Sequence, residues 1–115
     1  MEPEDFVQAL SSKFTALAPQ LLDDEIEGLF ALQVGRFRSW FQDAIDRGDE
    51  TVVNDCFGLA RSAQMEGNDR VVNSIGVSFV AHLNFVDGKV SRSWAYEALP
   101  PELKAVADSL GNAPT

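Results

Sequence analysis

The chain has 115 residues and carries 18 acidic against 9 basic residues, a formal net charge of −9. This length suits one domain with its own hydrophobic core, and a hydrophobic content of 45% argues against a disordered chain. The negative charge repels phosphate backbones and anionic lipids, which disfavours a nucleic-acid-binding or membrane-surface protein. We therefore predict a single domain over residues 1–115, with residues 112–115 frayed at its end.

Three features of the sequence predict a cytoplasmic protein. Cys56 is the single cysteine, so no intrachain disulfide can form. Residues 1–5 are acidic, whereas a signal peptide begins with basic residues. No apolar run approaches the roughly 18 residues that a membrane span needs.

The first predicted helix begins at Pro3, because the missing N–H of proline suits a first helical turn. Apolar residues then recur at steps of three and four, which is the pattern of one buried helical face. Pro19 is expected to end this helix. The apolar face consists of Phe6, Leu10, Phe14 and Leu17.

Residues 20–28 are predicted to form an acidic connector, and a second helix follows from Leu32 or earlier to Arg47. Its apolar stripe includes Phe37 and Phe41. Two glycines leave open whether residues 26–47 are one helix or two.

A short phrase occurs twice, at residues 48–54 and 67–73. Each copy has Gly, then Asp or Asn, and then Val-Val and Asn at the same offsets. Gly adopts the left-handed conformation that often ends a helix, and an Asp or Asn side chain can cap the next one. The phrase therefore predicts two helix boundaries. The role of Asn54 and Asn73 is left open.

The third predicted helix runs from Glu50 to Glu66 and the fourth from Asp69 to Asn84, each with a Val-Val pair entering the core. Gly76, in the middle of the fourth, is interpreted as a close helix crossing.

The rest of the chain is predicted to be a loop and two more helices. We prefer a loop over a hairpin for Phe85–Val90, and Ser91 then caps a short helix through Trp94 to Ala98. Pro101 starts a last helix that Gly111 ends. Its inward-facing residues are expected to be Leu103, Val106 and Leu110.

Since no segment shows sustained strand alternation, the predicted fold class is all-α. The short polar turns favour a compact stack of αα-hairpins with about five or six helices. The repeated phrase further suggests packing like that of HEAT or armadillo repeats.

The sequence gives no sign of an enzyme, a cofactor or a metal site. His82 has no second His or Cys nearby, whereas zinc sites normally need about three or four ligands, so we interpret it as a partly buried helix residue. Cys56 lies in an apolar stripe and is interpreted as a small core residue. No phosphate-binding loop or dinucleotide motif is present.

Two acidic groups are the candidate partner-binding residues. The simplest interpretation of the connector acids is a solvated face, and the alternative is a docking patch for a basic partner. One interpretation of Trp94 and Tyr96, near Arg92, is that they anchor an interface. The favoured alternative is that Trp94 closes the core under the last helix. The candidate residues are Asp23, Asp24, Glu25 and Glu27 in the connector, with Asp43, Asp46, Asp49 and Glu50 at the adjacent helix end.

Three stretches carry a resemblance to a known family: residues 32–41, with a Gly-x-Phe-x-x-Trp pattern, then Arg47-Gly48-Asp49, and then residues 66–73. They resemble a largely uncharacterised family of small, acidic, helical bacterial proteins. Some members of that family are associated with polymorphic-toxin genes as immunity proteins. The resemblance covers about residues 30–85 and implies no catalytic residues.

We therefore predict a non-enzymatic immunity protein that binds a cognate toxin domain and occludes its active site. The alternative is a helical scaffold or adaptor domain without a toxin partner, in which case the chain could act as a homodimer.

Overall fold

The computed structural model describes residues 1–85 and 92–112, and in this part the chain is all-α, as predicted. A 3₁₀ turn at Asp24–Ile26 precedes α3, while a π-helical turn at Ile75–Phe79 and a 3₁₀ turn at Val80–His82 continue α5. The seven α-helices of the described residues are α1 (Pro3–Lys13), α2 (Ala18–Leu21), α3 (Phe30–Arg47), α4 (Glu50–Glu66), α5 (Asp69–Ser74), α6 (Ser93–Glu97) and α7 (Pro101–Ser109).

The first helix ends earlier than predicted. Phe14 leaves the helical conformation, so α1 stops at Lys13. Pro19 does not end α1 but lies in the first turn of α2, where a residue without an N–H loses no helical hydrogen bond. Phe14 and Leu17 are nevertheless buried, because the turn between the helices directs both into the core.

The question of one helix or two over residues 26–47 is settled as one helix, Phe30–Arg47. Gly28 lies in the turn before α3, whereas Gly35 is accommodated inside it. Packing explains this tolerance, since α3 buries a long apolar face that outweighs the weak helix propensity of one glycine.

An aromatic cluster on that face of α3 forms the centre of the core. The ring of Phe37 stacks on Phe79 with the centroids 4.8 Å apart, and it meets Phe6 of α1 edge to face at 6.0 Å. The ring of Phe41 lies 5.0 Å from Phe57 of α4 and 5.2 Å from Phe79. These five rings are almost fully buried. They join α1, α3, α4 and the π-helical turn.

The two copies of the repeated phrase form the two predicted helix boundaries, but their glycines act differently. Gly48 has φ 71°, the left-handed conformation expected at a helix end. Gly67 has φ −72° and ψ 153°, so the left-handed conformation predicted there is wrong. A Cβ at position 67 would overlap with the carbonyl oxygen of Ala63 and lie 2.5 Å from Cγ1 of Val71. Close approach of the backbone therefore accounts for the second glycine.

The residues after the glycines cap the next helices, as predicted. Asp49 Oδ1 accepts a hydrogen bond from the backbone N–H of Val52, and Asn68 Oδ1 accepts one from that of Val71. Asn68 does more, since its Nδ2 also donates to Glu2 Oε2 at 2.7 Å. A carboxylate at position 68 has no proton to donate at neutral pH. This contact explains why the second copy carries an amide.

Only one valine of each Val-Val pair is fully buried in the core. Val53 is fully buried in α4 while Val52 is half-buried, and in α5 Val71 is fully buried while Val72 is half-buried. The buried valine thus occupies a different position of the phrase in each copy. Asn54 and Asn73 are both exposed.

The fourth predicted helix is helical through His82 but not regular. Gly76 lies in the π-helical turn, and a Cβ there would be 3.7 Å from Cγ1 of Val106, which is ordinary contact. The predicted close crossing at Gly76 is therefore wrong. The segment after His82 is held by one side chain, because Gln42 forms hydrogen bonds with both the N–H and the carbonyl of Asn84.

Predictions for the last part of the chain are confirmed in part. The predicted loop Phe85–Val90 lies outside the described residues except for Phe85 itself, and so does the predicted cap at Ser91. In α7, Leu103 is buried and Val106 half-buried, but Leu110 is 48% exposed because it follows the end of the helix. Asn112, expected to fray, donates to the carbonyls of Val80 and Leu83. Residues 113–115 lie outside the described residues.

The HEAT- or armadillo-like packing predicted from the sequence is not confirmed. In a solenoid each repeat contacts only its neighbours. Here α1 packs against α4 and α5, and α3 contacts both the 3₁₀ turn before it and the π-helical turn far along the chain. The helices surround one core in a globule with principal extents of 38 × 27 × 21 Å.

We predict that Asn68→Asp destabilises the fold by about 1 kcal/mol at neutral pH, because it places a second carboxylate beside Glu2. Added salt should recover part of that loss by screening. Urea unfolding at low and high salt measures both effects. The matched control is Asp49→Asn, which keeps a capping oxygen and should change the free energy of unfolding little. Equal losses in the two variants would contradict the role given to the Glu2 contact.

We also predict that Gly67→Ala lowers the free energy of unfolding by about 2 kcal/mol or more, because its Cβ has no space beside Ala63 and Val71. Gly58→Ala is the control, since Gly58 is an exposed residue of α4 with no atom near the added Cβ. That change should stabilise the helix by about 0.5–1 kcal/mol. Urea denaturation of the two variants tests this difference in sign.

Candidate functional site

The connector between α2 and α3 is held by hydrogen bonds to α3. Asp23 caps the 3₁₀ turn by accepting from the N–H of Glu25, and its carboxylate pairs with Arg36 at 2.9 Å. Arg36 also donates to the carbonyl of Gln20, and the buried Gln33 donates to that of Leu21. The Arg36 hydrogen bond, followed by that from Glu25, holds the pKa of Asp23 below its usual value. Asp23 is thus a structural residue.

The other three connector acids, Asp24, Glu25 and Glu27, are exposed. Large apolar side chains are exposed beside them: Leu22 by 57%, Leu29 by 49% and Leu32 by 54%. An exposed apolar patch with a polar rim is a mark of a protein-binding surface. We name these residues the connector surface: Leu22, Asp24, Glu25, Glu27, Leu29 and Leu32.

A cavity of about 220 Å³ adjoins the connector surface. Leu22 and Glu27 line it from the connector, and Glu4 lines it from α1. Arg70 also lines it, with its guanidinium 6.0 Å from the centroid of the Phe30 ring. Acidic residues distant in sequence therefore come together here, and the sequence analysis missed Glu4 because nothing in its local pattern relates it to the connector.

The second predicted acidic group, at the end of α3, divides into structural and exposed residues. Asp46 accepts from Arg92 at 2.7 Å, and Asp49 caps α4 and lies 3.7 Å from Arg47. Asp43 and Glu50 are exposed.

The structure does not bring the two acidic groups into one patch. The connector packs on the first half of α3 through Arg36, while the second group begins at Asp43, about 10 Å further along the helix axis. Arg36 and Arg38 line a shallow depression beside Leu32 on this part of α3. The two acidic groups are therefore separate, and we take the connector surface as the candidate site.

The exposed leucines are the part of the site that the sequence analysis missed. Leu32 lies outside the α3 stripe that contains Phe30, Gln33, Val34 and Phe37. That position was a usable signal, because a leucine off the buried face of an amphipathic helix points toward solvent.

The remaining residues with possible chemistry are His82 and Cys56, and they differ in exposure. His82 is exposed, not partly buried as expected. Cys56 is fully buried, and burial, with the charges of Asp55 and Asp49 adding to it, raises the pKa of its thiol far above the usual range. Within residues 1–85 and 92–112, no group of three or more His, Cys, Asp or Glu side chains could hold a metal ion.

The aromatic residues near Arg92 pack inward, in keeping with the second interpretation given to them. Trp94 packs against the core, and Tyr96 meets Phe85 edge to face at 5.7 Å. The hydroxyl of Tyr96 donates to Asp108, and this hydrogen bond raises the pKa of Tyr96.

The fold and the site together define a small all-α domain whose candidate site is an exposed surface. The chain belongs to a family described as a domain of unknown function, DUF7674, whose model matches residues 7–112. No curated protein and no solved structure matches the chain. None of the helices in the described part of the chain is long and apolar enough to cross a membrane.

We predict that Asp46→Asn destabilises the protein by about 1 kcal/mol at neutral pH, since this half-exposed carboxylate pairs with the buried Arg92. Burial alone would raise the pKa of Asp46, but hydrogen bonds from Arg92 and Gln42 lower it below the usual 3.8. The stabilisation is therefore present above pH 3.8 and is lost as the pH falls through the lower pKa of the folded state.

Urea unfolding across the acid range measures this effect. The Asn variant should lose stability less steeply on acidification than the parent protein does. The control is Asp43→Asn, which removes an exposed carboxylate on the same helix. In this variant the free energy of unfolding should fall with acidification as steeply as in the parent protein. If the Asp46 variant lost stability on acidification as steeply as the parent protein, the stabilising role given to the Asp46–Arg92 pair would be contradicted.

Proposed function

We propose that this protein is a non-enzymatic, cytoplasmic immunity protein that binds a cognate bacterial toxin domain and occludes its active site. The observation that carries the proposal is the connector surface, where exposed leucines and exposed carboxylates adjoin. The resemblance described for residues 30–85 supports the same function.

The leucines and the carboxylates of the connector surface contribute to binding in different ways. Burying a leucine that is now half-exposed contributes favourable free energy, on the order of 1–2 kcal/mol for each. The carboxylates mainly accelerate association with a positively charged partner and fix its orientation. Toxin domains that act on nucleic acids or nucleotides carry basic clefts, so an acidic surface with apolar anchors suits such a cleft.

The rigidity of the connector also favours binding. Asp23, Arg36 and Gln33 fix the connector backbone on α3 through the hydrogen bonds described above. A surface that is already ordered loses less conformational entropy when it binds a partner. The structural acids and the exposed acids of the connector thus have separate roles.

The proposal predicts that a toxin domain is encoded beside the gene, and co-expression with that domain tests it. The protein should restore growth and co-purify with that domain. A His82→Ala variant should protect equally well, because binding needs no general base. Failure both to rescue and to co-purify would refute the immunity function, and loss of protection in a folded His82→Ala variant would refute the non-enzymatic mechanism.

We predict that reversing the exposed connector charges, with Asp24→Lys, Glu25→Lys and Glu27→Lys together, slows association with the toxin domain about tenfold or more at low salt. The difference should shrink as salt is added. Stopped-flow or surface plasmon resonance measurements give the rate.

The control is the pair Asp43→Lys and Glu50→Lys, which reverses two exposed acids, one in the last part of α3 and one at the start of α4. This pair should change the association rate much less than the connector variant does. Circular dichroism confirms that both variants remain folded. An equal loss in the control would contradict the assignment of the connector surface as the site.

A further inference from the structure

The cavity beside the connector surface combines apolar walls with charged groups of both signs. Its apolar lining is formed by Pro3, Val7, Leu22 and Phe30. Its volume of about 220 Å³ lies below the roughly 300–1,000 Å³ of pockets that hold drug-sized molecules. A molecule that fills this cavity is therefore small.

The cavity is also lined by a buried glutamine whose amide oxygen is unpaired within residues 1–85 and 92–112. Gln33 is only 8% exposed, and its Nε2 donates to the carbonyl of Leu21. Its Oε1 accepts no hydrogen bond from the described residues. This oxygen is not fully enclosed by protein, so the exposed part of the side chain lies at the cavity wall. An unpaired acceptor on a buried side chain favours a ligand that brings a hydrogen-bond donor.

Three charged side chains line the same cavity without pairing. Glu4 comes from the first turn of α1, and Glu27 comes from the connector. Arg70 comes from α5, and its guanidinium lies beside the ring of Phe30, which itself lines the cavity. Among the described residues, none of these three side chains forms an ion pair. Opposite charges thus face one small space while remaining available to a ligand.

These charges select a ligand that carries both signs. A simple cation would meet Arg70 as a like charge, and a simple anion would meet the two carboxylates. An ammonium group has three N–H donors, and the cavity offers three acceptors in Glu4, Glu27 and Oε1 of Gln33. A guanidinium such as that of Arg70 can bind a carboxylate through two parallel hydrogen bonds.

We propose that the cavity binds a free α-amino acid with an apolar side chain. The ammonium group of the ligand pairs with Glu4, Glu27 and Oε1 of Gln33. Its carboxylate pairs with Arg70, and its side chain packs on the apolar walls beside Leu22. The site needs no protein partner, so it goes beyond the immunity function.

An NMR titration of the isotope-labelled full chain with L-leucine tests the proposal. Leucine should cause saturable shift changes at the residues that line the cavity. Two analogues keep the same apolar part, since isopentylamine lacks only the carboxylate and isocaproate lacks only the ammonium group. Each analogue should bind about tenfold or more weakly than leucine, because each loses one set of charge-assisted hydrogen bonds.

Two variants assign the charged groups separately. Glu4→Gln should weaken the binding of leucine and isopentylamine but not that of isocaproate. Arg70→Gln should weaken the binding of leucine and isocaproate but not that of isopentylamine. The controls are Glu50→Gln and Arg38→Gln, which remove the same charges outside the cavity and should leave the affinity for leucine unchanged. Circular dichroism establishes that each variant is folded.

Three results would overturn the amino-acid site. The first is the absence of a saturable shift at any soluble concentration of leucine. The second is an analogue that binds as tightly as leucine, and in the case of isopentylamine this would assign the cavity to a simple cation. The third is unchanged leucine binding in folded Glu4→Gln and Arg70→Gln variants. Because no toxin domain is present in the titration, failure of the immunity function would leave its outcome unaffected.

Discussion

The rings of Phe37 and Phe41 determine how the rest of the molecule is arranged around α3. Both point from one face of this helix, and between them they contact rings from α1, α4 and the π-helical turn. Because that face is committed to the core, Leu32, which lies off it, is left exposed to solvent. The connector is held at the edge of the same face, where Gln33 donates to the carbonyl of Leu21.

A small number of basic side chains decides which acids are held in ion pairs and which remain exposed. Among the described residues, ion pairs hold specific acids in structural roles, as Arg36 holds Asp23 and Arg92 holds Asp46. The acids without such a role, including Asp24 and Glu27, are exposed and give the connector its charge.

The acidic half of the candidate site could be predicted from the sequence, since clustered carboxylates rarely lie in a core. Its apolar half was predictable only at Leu32, which lies off the buried stripe of α3, whereas the exposure of Leu22 and Leu29 depends on where α3 starts, and the sequence left that open. Which acids are exposed and which are engaged within the fold was also beyond the sequence. Asp24 is exposed, whereas its neighbour Asp23 is engaged by Arg36, which lies 13 positions further along the chain. That pairing exists only in the folded protein.

The repeated Gly-Asp/Asn phrase separates what the sequence determined from what tertiary structure decided. The sequence by itself determined the helix boundaries and their caps at Asp49 and Asn68, because a cap is a bond between residues three apart. Tertiary structure decided that Val53 is buried in one copy and Val71 in the other. The reason is that a cap sets where a helix begins, whereas the direction of its buried face depends on the helices packed around it.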